Sequence, residues 1–370
     1  MFQLCFISLV FCLIFAGTTL FLLIRLMNSA EQLVEEIASD TKYPFFPHSE
    51  QEENRIRKMV DDINAANLTW TATYNAFASL KGAVPSVSNI TFESLKLDGY
   101  DIETSVNLQV IGDTEKHLKK LAGLSLTLPE SFDAREKWHN CASIHQIPNQ
   151  GGCGSCWAAA SVSVMSDRLC ISSDGQEQQS ISLQDLVACC DYCGDCSGGT
   201  VPALSFHYWK NHGIATGGLF GSNEGCRPYE IESTCGTPCP VYFCHSSFNP
   251  QCKKACHPLY GMSYENDLRK GKSYYWLKIS YSWYAGQWST KKTYFDIERI
   301  TEELSLSTNE LIKREIMTNG PVSFCTSIDE PFAHYSSGVF NSSSFDRDGN
   351  YNLSYGHCMR IIGWGIENGE

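Results

Sequence analysis

Positive charge is scarce in this chain. Against 41 Asp and Glu it sets only 28 Lys and Arg, a formal net charge of −13. That balance excludes binding to nucleic acid or anionic lipid through bulk electrostatics, and it leaves the fold open. No basic residue stands before Arg25, and Phe2 to Ile24 is almost wholly apolar, interrupted by Gln3, Ser8 and Thr18-Thr19. The missing basic flank and the length of the run keep two readings of residues 1–30 open: a signal peptide, cut near Ala16-Gly17 or Ser29-Ala30, or a retained signal anchor. Cleavage is the preferred expectation, and a membrane is a partner only if the segment is retained. Cysteine is missing from Glu31 to Thr127, then abundant, most of the eighteen falling between Cys141 and Cys256. So many cysteines exclude a reducing cytosol and point to the secretory pathway. The sequons at Asn67, Asn89, Asn341 and Asn352 fit that route. With 370 residues, 43% apolar and 12% aromatic, the chain has ample material for a packed core and for two or three units of domain size.

The stretch richest in chemistry is Gln150-Gly151-Gly152-Cys153-Gly154-Ser155-Cys156-Trp157. After it, Ala158 to Met165 and Leu169 form an apolar run of good helix formers, which places Cys156 at the first turn of a buried helix. A thiol there sits on the positive end of the helix dipole, which favours its thiolate. Gly151, Gly152 and Gly154 permit tight turns that bring main-chain N–H groups close to a substrate carbonyl, and the Gln150 amide adds a donor. An arbitrary Cys-x-x-Cys in an exported chain is more simply a disulfide loop. The full octet shifts the balance toward a nucleophile.

Cys-Gly-Ser-Cys-Trp is the signature found around the nucleophile of papain and the cathepsins. From about Leu128 to its last residue the chain resembles a papain-family cysteine peptidase. Pro129-Glu130-Ser131-Phe132-Asp133-Ala134-Arg135 and Cys226-Arg227-Pro228-Tyr229 make the resemblance cathepsin B-like. It implies an α+β, two-lobed papain-like fold, with a helical left lobe and a β-barrel-like right lobe, preceded by a propeptide. Alternating apolar residues around Val322, Phe324 and Val339 agree with strands in the second lobe. Residues 31–127 are then the propeptide, and 128–370 the peptidase domain. Met59-Val60-Asp61-Asp62-Ile63-Asn64 followed by Thr69-Trp70-Thr71-Ala72 resembles the prosegment that lies along the cleft in such enzymes.

The resemblance also implies roles. Cys156 is the nucleophile and His357, in Tyr355-Gly356-His357-Cys358-Met359-Arg360-Ile361-Ile362-Gly363-Trp364-Gly365, is the base. Gln150 and the Cys156 N–H stabilise the oxyanion, while Gly198, Gly199 and Trp157 bind substrate. His357 follows Cys156 at more than the roughly 130–150 residues of shorter members, the excess being the cysteine loop and a Tyr/Trp-rich insertion, Tyr274 to Tyr294. That insertion is expected to be an exposed hairpin. Implied disulfides are Cys153 with Cys196, Cys141 with Cys170, Cys190 with Cys193, Cys189 with Cys252, and Cys226 with Cys256. Cys190-x-x-Cys193-x-x-Cys196 alone imitates a zinc or iron–sulfur ligand run, but an oxidising compartment favours disulfides. No metal and no cofactor is expected. Cys358 stands where the family usually has alanine.

The implied reaction is peptide-bond hydrolysis through a thiolate–imidazolium pair and an acyl-enzyme, in a zymogen of lysosomal or extracellular destination. Its partners are protein and peptide substrates and its own inhibitory propeptide. Where exopeptidase members of the family carry a His-His pair, this chain reads Gly236-Thr237-Pro238, which implies an endopeptidase. The chain stops at Glu370, short of the asparagine that orients the imidazole in the family, so a natural product some tens of residues longer is expected. Two other classes compete. A catalytically impaired, disulfide-rich secreted binding protein on the same fold would have no need of Cys156, His357 and Gln150 together. A metal protein would instead use the cysteine cluster.

Overall fold

The computed structural model describes residues 50–75, 102–199, 202–232, 249–278, 299–341, 355–367 and 369. It opens with helix α1 (Glu50–Ala65) and the short strand β1 (Trp70–Ala72). Helix α2 (Ile102–Ala122) follows, then β2 (Phe132–Asp133). The helical body comprises α3 (Cys156–Ser172), α4 (Leu183–Cys189) and α5 (Pro202–Asn211), with the two-residue strands β3 (Gly194–Asp195) and β4 (Gly198–Gly199) between α4 and α5. Helix α6 (Thr308–Asn319), β5 (Val322–Ile328), β6 (Tyr335–Gly338), β7 (Tyr355–Ile361) and β8 (Gly363–Trp364) complete the described chain. Mixed helices and antiparallel strands make the fold α+β.

Helix α3 is predominantly apolar, with small Ala, Ser and Val residues around its first turns, and most of it is buried. Trp157, Ala158, Met165 and Cys170 are each at most 1% exposed. Its serines would leave unpaired hydroxyls in that core, so each turns back on its own helix: Ser161, Ser163 and Ser166 donate to the carbonyls of Trp157, Ala159 and Val162. α4 and α5 pack around it, adding Leu186, Leu204, Tyr208 and Trp209 to the same cluster.

In the strand-rich part, β5 and β7 pair antiparallel over seven residues, from Val322 opposite Ile361 to Ile328 opposite Tyr355. This register sets His357 opposite Thr326 and Cys358 opposite Cys325. Strand β7 is locked onto α3 by Arg360, which lies at the centre of four acceptors. Its guanidinium meets Asp167 Oδ2 at 2.7 Å and donates to the carbonyls of Ser143, Ile144 and Gln146 at 2.9–3.2 Å. Asp167 is fully buried, and burial pushes its carboxyl up against the pull of Arg360 and Ser143.

Helix α1 and β1 form a small unit with its own core of Ile56, Met59, Ile63 and Trp70. β1 pairs antiparallel with β6, Trp70 facing Gly338, and Arg55 forms an ion pair with Glu330. Among the described residues no helix is long and apolar enough to cross a membrane, and the apolar run Phe2 to Ile24 lies outside them. Cys235, Cys239, Cys244 and the Gly236-Thr237-Pro238 stretch also lie outside them.

Removing one partner of a buried ion pair leaves the other charge unpaired, a loss of about 3–5 kcal/mol. Arg360→Met should therefore lower unfolding stability by about that much in urea titration. Arg360→Lys, which keeps the charge without the planar fork, should recover only part of it.

Candidate active site

The loop before α3 is shaped by backbone contacts. Gly151 lies in the left-handed region at φ +59°, where a Cβ would come 2.4 Å from the Glu232 carbonyl oxygen, so a side chain is excluded twice over. The Gly154 N–H donates to Cys196 O at 2.7 Å, and the disulfide Cys153–Cys196 fastens the same two segments covalently. Tyr229 braces the loop from behind, its hydroxyl donating to Gln150 O at 2.7 Å and lying 3.2 Å from Ser155 Oγ. Tyr229 belongs to the Cys226-Arg227-Pro228-Tyr229 motif, whose role is thus to support this loop.

Cys156 is the first residue of α3 and the free cysteine among the described residues, 5% exposed. The thiol sits where helix and strand meet, and the backbone N–H of Cys358 on β7 acts on it together with those of Trp157 and Cys156 itself. Those N–H groups favour the thiolate. Burial is the larger effect, however, and pushes the thiol up. The resemblance implies the opposite, a depressed thiol. Burial likewise pushes down the imidazole of His357, the residue next to Cys358. Desolvation thus disfavours the charged form of both groups.

Gln150 donates from its amide Nε2 to Cys153 O at 2.9 Å. One of its two amide hydrogens is thereby used to fix the side chain, and the other is left for a ligand. Gly198 and Gly199 form β4, paired with Gly194 and Asp195 of β3. The strip is set by Asn249, which accepts from the Cys196 N–H at 2.7 Å and donates to Asp195 Oδ2 at 3.2 Å. Trp157 is not where a substrate contact would be. It is 1% exposed, lies under the strip, and donates from Nε1 to Asp195 O. A Cβ on Gly199 would fall 2.0 Å from Trp157 Cγ, so the indole, more than a passing peptide chain, demands glycine there.

Six disulfides are present among the described residues. They are Cys141–Cys170, Cys153–Cys196, Cys189–Cys252, Cys190–Cys193, Cys226–Cys256 and Cys325–Cys358. Cys189, Cys190, Cys193 and Cys196 are all consumed in them, which removes the thiolates that a metal would need. The sixth bridge answers the anomaly at Cys358. It ties β7 to β5 at the residue whose N–H meets the Cys156 thiol. Sequence reasoning missed Cys325, although a cysteine on each of two alternating apolar strands was the available signal. It also missed Asn249 and Arg360, which carry no local signature. The Tyr/Trp-rich insertion is not an exposed hairpin at its start: Tyr274 is 4% exposed and Tyr275 bonds to the buried Glu315. Its remainder lies outside the described residues.

Residues 128–370 match the family described as "Papain family cysteine protease". Cathepsin B-like cysteine proteinase 6 of Caenorhabditis elegans is 35% identical over 274 residues, covering 71% of this chain and 62% of that protein. Cathepsin B-like cysteine proteinase 1 of Ostertagia ostertagi is 36% identical over 268 residues, covering 70% of this chain and 67% of its own length. The chain thus spans less than two thirds of the first of these relatives. Among solved structures, proCathepsin B S9 from Trypanosoma congolense is similar with a TM-score of 0.50 and 28% identity, over 87% of this chain and 84% of that one. The chain belongs to the papain family of cysteine proteases, among its cathepsin B-like members.

Proposed function

We propose that the protein is the zymogen of a cysteine-type endopeptidase in which Cys156 is the nucleophile and His357 the acid and base. The observation that carries this is the free thiol, among the described residues, at the start of α3, met by the N–H of the residue beside His357. In the reaction the Cys156 proton passes to His357, and the thiolate attacks a peptide carbonyl. Negative charge gathers on the carbonyl oxygen, where the free Gln150 amide hydrogen and the Cys156 N–H stabilise it. One such donor is worth roughly 3–4 kcal/mol in related acyl transfers. His357 then protonates the leaving amine, and water releases the acyl group by the reverse path. Every atom is supplied by protein, substrate and water, so the mechanism calls for no cofactor. Gly198 and Gly199 present strand backbone to the substrate chain.

The unit of α1 and β1 is the inhibitory prosegment in this reading. Its support is the pairing of β1 with β6 and the burial that pushes the Cys156 thiol up and the His357 imidazole down. Opening the site would rehydrate His357 and let it charge. A secretory, lysosomal or extracellular setting is supported by the disulfides and by exposed sequon residues at Asn67 and Asn341. Gly236-Thr237-Pro238 offers no imidazolium to a substrate's terminal carboxylate, which supports internal cleavage over removal of C-terminal dipeptides.

In the full-length protein after processing, a peptide blocked at both ends should be cut internally, and Cys156→Ala should abolish cutting with the disulfide framework intact. Full activity in Cys156→Ala overturns the assignment and would fit a binding protein on the same fold. The pH behaviour follows from the shifts. A thiol raised above its ordinary value holds less thiolate at neutral pH, so alkylation of Cys156 in the uncut protein should climb about tenfold per pH unit through pH 9. After processing it should be fast and flat down to acid pH. Finally, Cys325→Ala with Cys358→Ala should lower kcat on the order of 10- to 100-fold in the folded fraction, with KM little changed, because β7 is then less firmly held at the thiol. An unchanged kcat would separate the sixth disulfide from catalysis.

A further inference from the structure

The residues before Leu128 are not one unit in their packing. Helix α1 and β1 bury Ile56, Met59, Ile63 and Trp70 against each other, and Phe340, from the other side, is only partly buried there. That unit touches the rest mainly through the three-residue β1–β6 ladder, the Arg55–Glu330 pair and Asn75, whose N–H donates to His334 Nδ1. Trp70 also packs on Phe340, ring centroids 4.7 Å apart, so lifting the unit away uncovers part of that indole.

Helix α2 has no such core. Leu118 and Leu121, at 0% and 1% exposure, pack with Ile300 and Leu311, also at 1% and 0%. One cluster is therefore shared between α2 and α6, and neither half closes without the other. The polar contacts fall on the same face of α2, at helical spacing from Asp113 to Leu121. Asp113 Oδ2 takes the Lys210 ammonium at 2.9 Å, and the fully buried Thr114 accepts the Trp276 N–H through Oγ1 at 2.9 Å. Past the helix end, Arg314 donates to Leu124 O at 2.9 Å.

The most telling contact is His117. Its ring stacks on Tyr275 with centroids 3.6 Å apart, and its Nε2 lies 2.6 Å from Glu315 Oε2. Glu315 is fully buried. Its other oxygen accepts from the Tyr275 hydroxyl at 2.6 Å and pairs with Arg168 Nη1 at 2.7 Å. Burial opposes this carboxylate, yet Arg168, His117 and Tyr275 hold its pKa down at about 2. Arg168 belongs to α3, the helix that begins at Cys156. Taking α2 away would strip a partner from a buried carboxylate that pairs directly with the helix of Cys156, and would uncover Leu311 and Ile300.

We propose that the face formed by α6, Tyr274–Leu277 and Ile300 is a permanent docking surface for α2, so that residues 102–124 stay with the peptidase body after α1 and β1 are cut away. The start of the Tyr/Trp-rich insertion thereby acquires a function, as the platform under His117 and Thr114. The propeptide boundary expected at residue 127 shifts accordingly: the releasable part ends before α2. This rests on the zymogen reading only in taking a cut between β1 and α2 to occur.

The test imposes the cuts, so it does not depend on self-processing. In the full-length protein carrying Cys156→Ala, a site-specific protease sequence is placed between residues 76 and 101, and a second at the exposed Ser125 to Thr127. After both are cleaved, native mass spectrometry should find the 102–124 peptide bound one-to-one to the chain that starts near Leu128, separating only in denaturant. The same cuts with Leu118→Asp and Leu121→Asp should lower the Tm of the cut body by several degrees or unfold it. A folded body that sheds the peptide and keeps its Tm overturns the proposal. Activity is assayed separately with Cys156 present, and an inactive protein that retains the peptide removes the zymogen reading while leaving this one standing.

Discussion

Helix α3 and strand β7 are held together at two places, and the site exists only because both hold. At one, the Cys156 thiol meets the N–H of Cys358; at the other, Arg360 reaches Asp167 and the carbonyls of Ser143, Ile144 and Gln146. Asp167 lies three turns along α3 from Cys156, roughly 16 Å at the helical rise. Two contacts that far apart fix both the position and the angle of β7 against the helix. Arginine suits the second place because its planar fork satisfies several acceptors at once while neutralising a carboxylate that burial alone would protonate. The Cys325–Cys358 disulfide then binds β7 to β5 at the thiol end, so His357 rides on a strand restrained from three directions.

The electrostatics of the site follow from how dry it is. A thiolate and an imidazolium stabilise each other only if both are charged, and desolvation penalises each charge separately before the pair can form. Burial opposes the charged form at both residues, pushing the Cys156 thiol up and the His357 imidazole down. Latency in this reading is a matter of solvation, with no rearrangement of the nucleophile loop required. That loop is already fixed by Cys153–Cys196, by Gly154 on Cys196 O and by Tyr229 on Gln150 O.

Packing divides the N-terminal part of the chain differently from cysteine content. Residues 31–127 share a lack of cysteine, yet α1 and β1 centre on a cluster of their own residues, edged by Phe340, while α2 completes the core of α6. Disulfides mark which segments must resist unfolding in a harsh compartment. They do not mark which segments share a hydrophobic cluster.

The sequence by itself determined the buried helix at Cys156, because the largely apolar run after the glycines belongs in a core, and it singled out Cys156, Gln150 and His357 as candidates because each sits in a dense local pattern. It also indicated an oxidising compartment, since cysteine number is a property of the chain. Tertiary structure alone decided the rest. Cys325 and Cys358 become partners through a strand register spanning residues far apart in sequence. Trp157 stands in the motif like a substrate contact, yet packing turns it inward under Gly199, a choice that depends on where β4 passes. Helix position shows the dipole acting on the thiol, whereas its desolvation depends on everything packed around the site. The insertion at Tyr274 gave no periodic signal, and its partner, His117, lies more than 150 residues earlier in the chain. Local pattern fixes what a residue can do; only the fold fixes what it faces, because contacts between distant segments leave no trace in either segment alone.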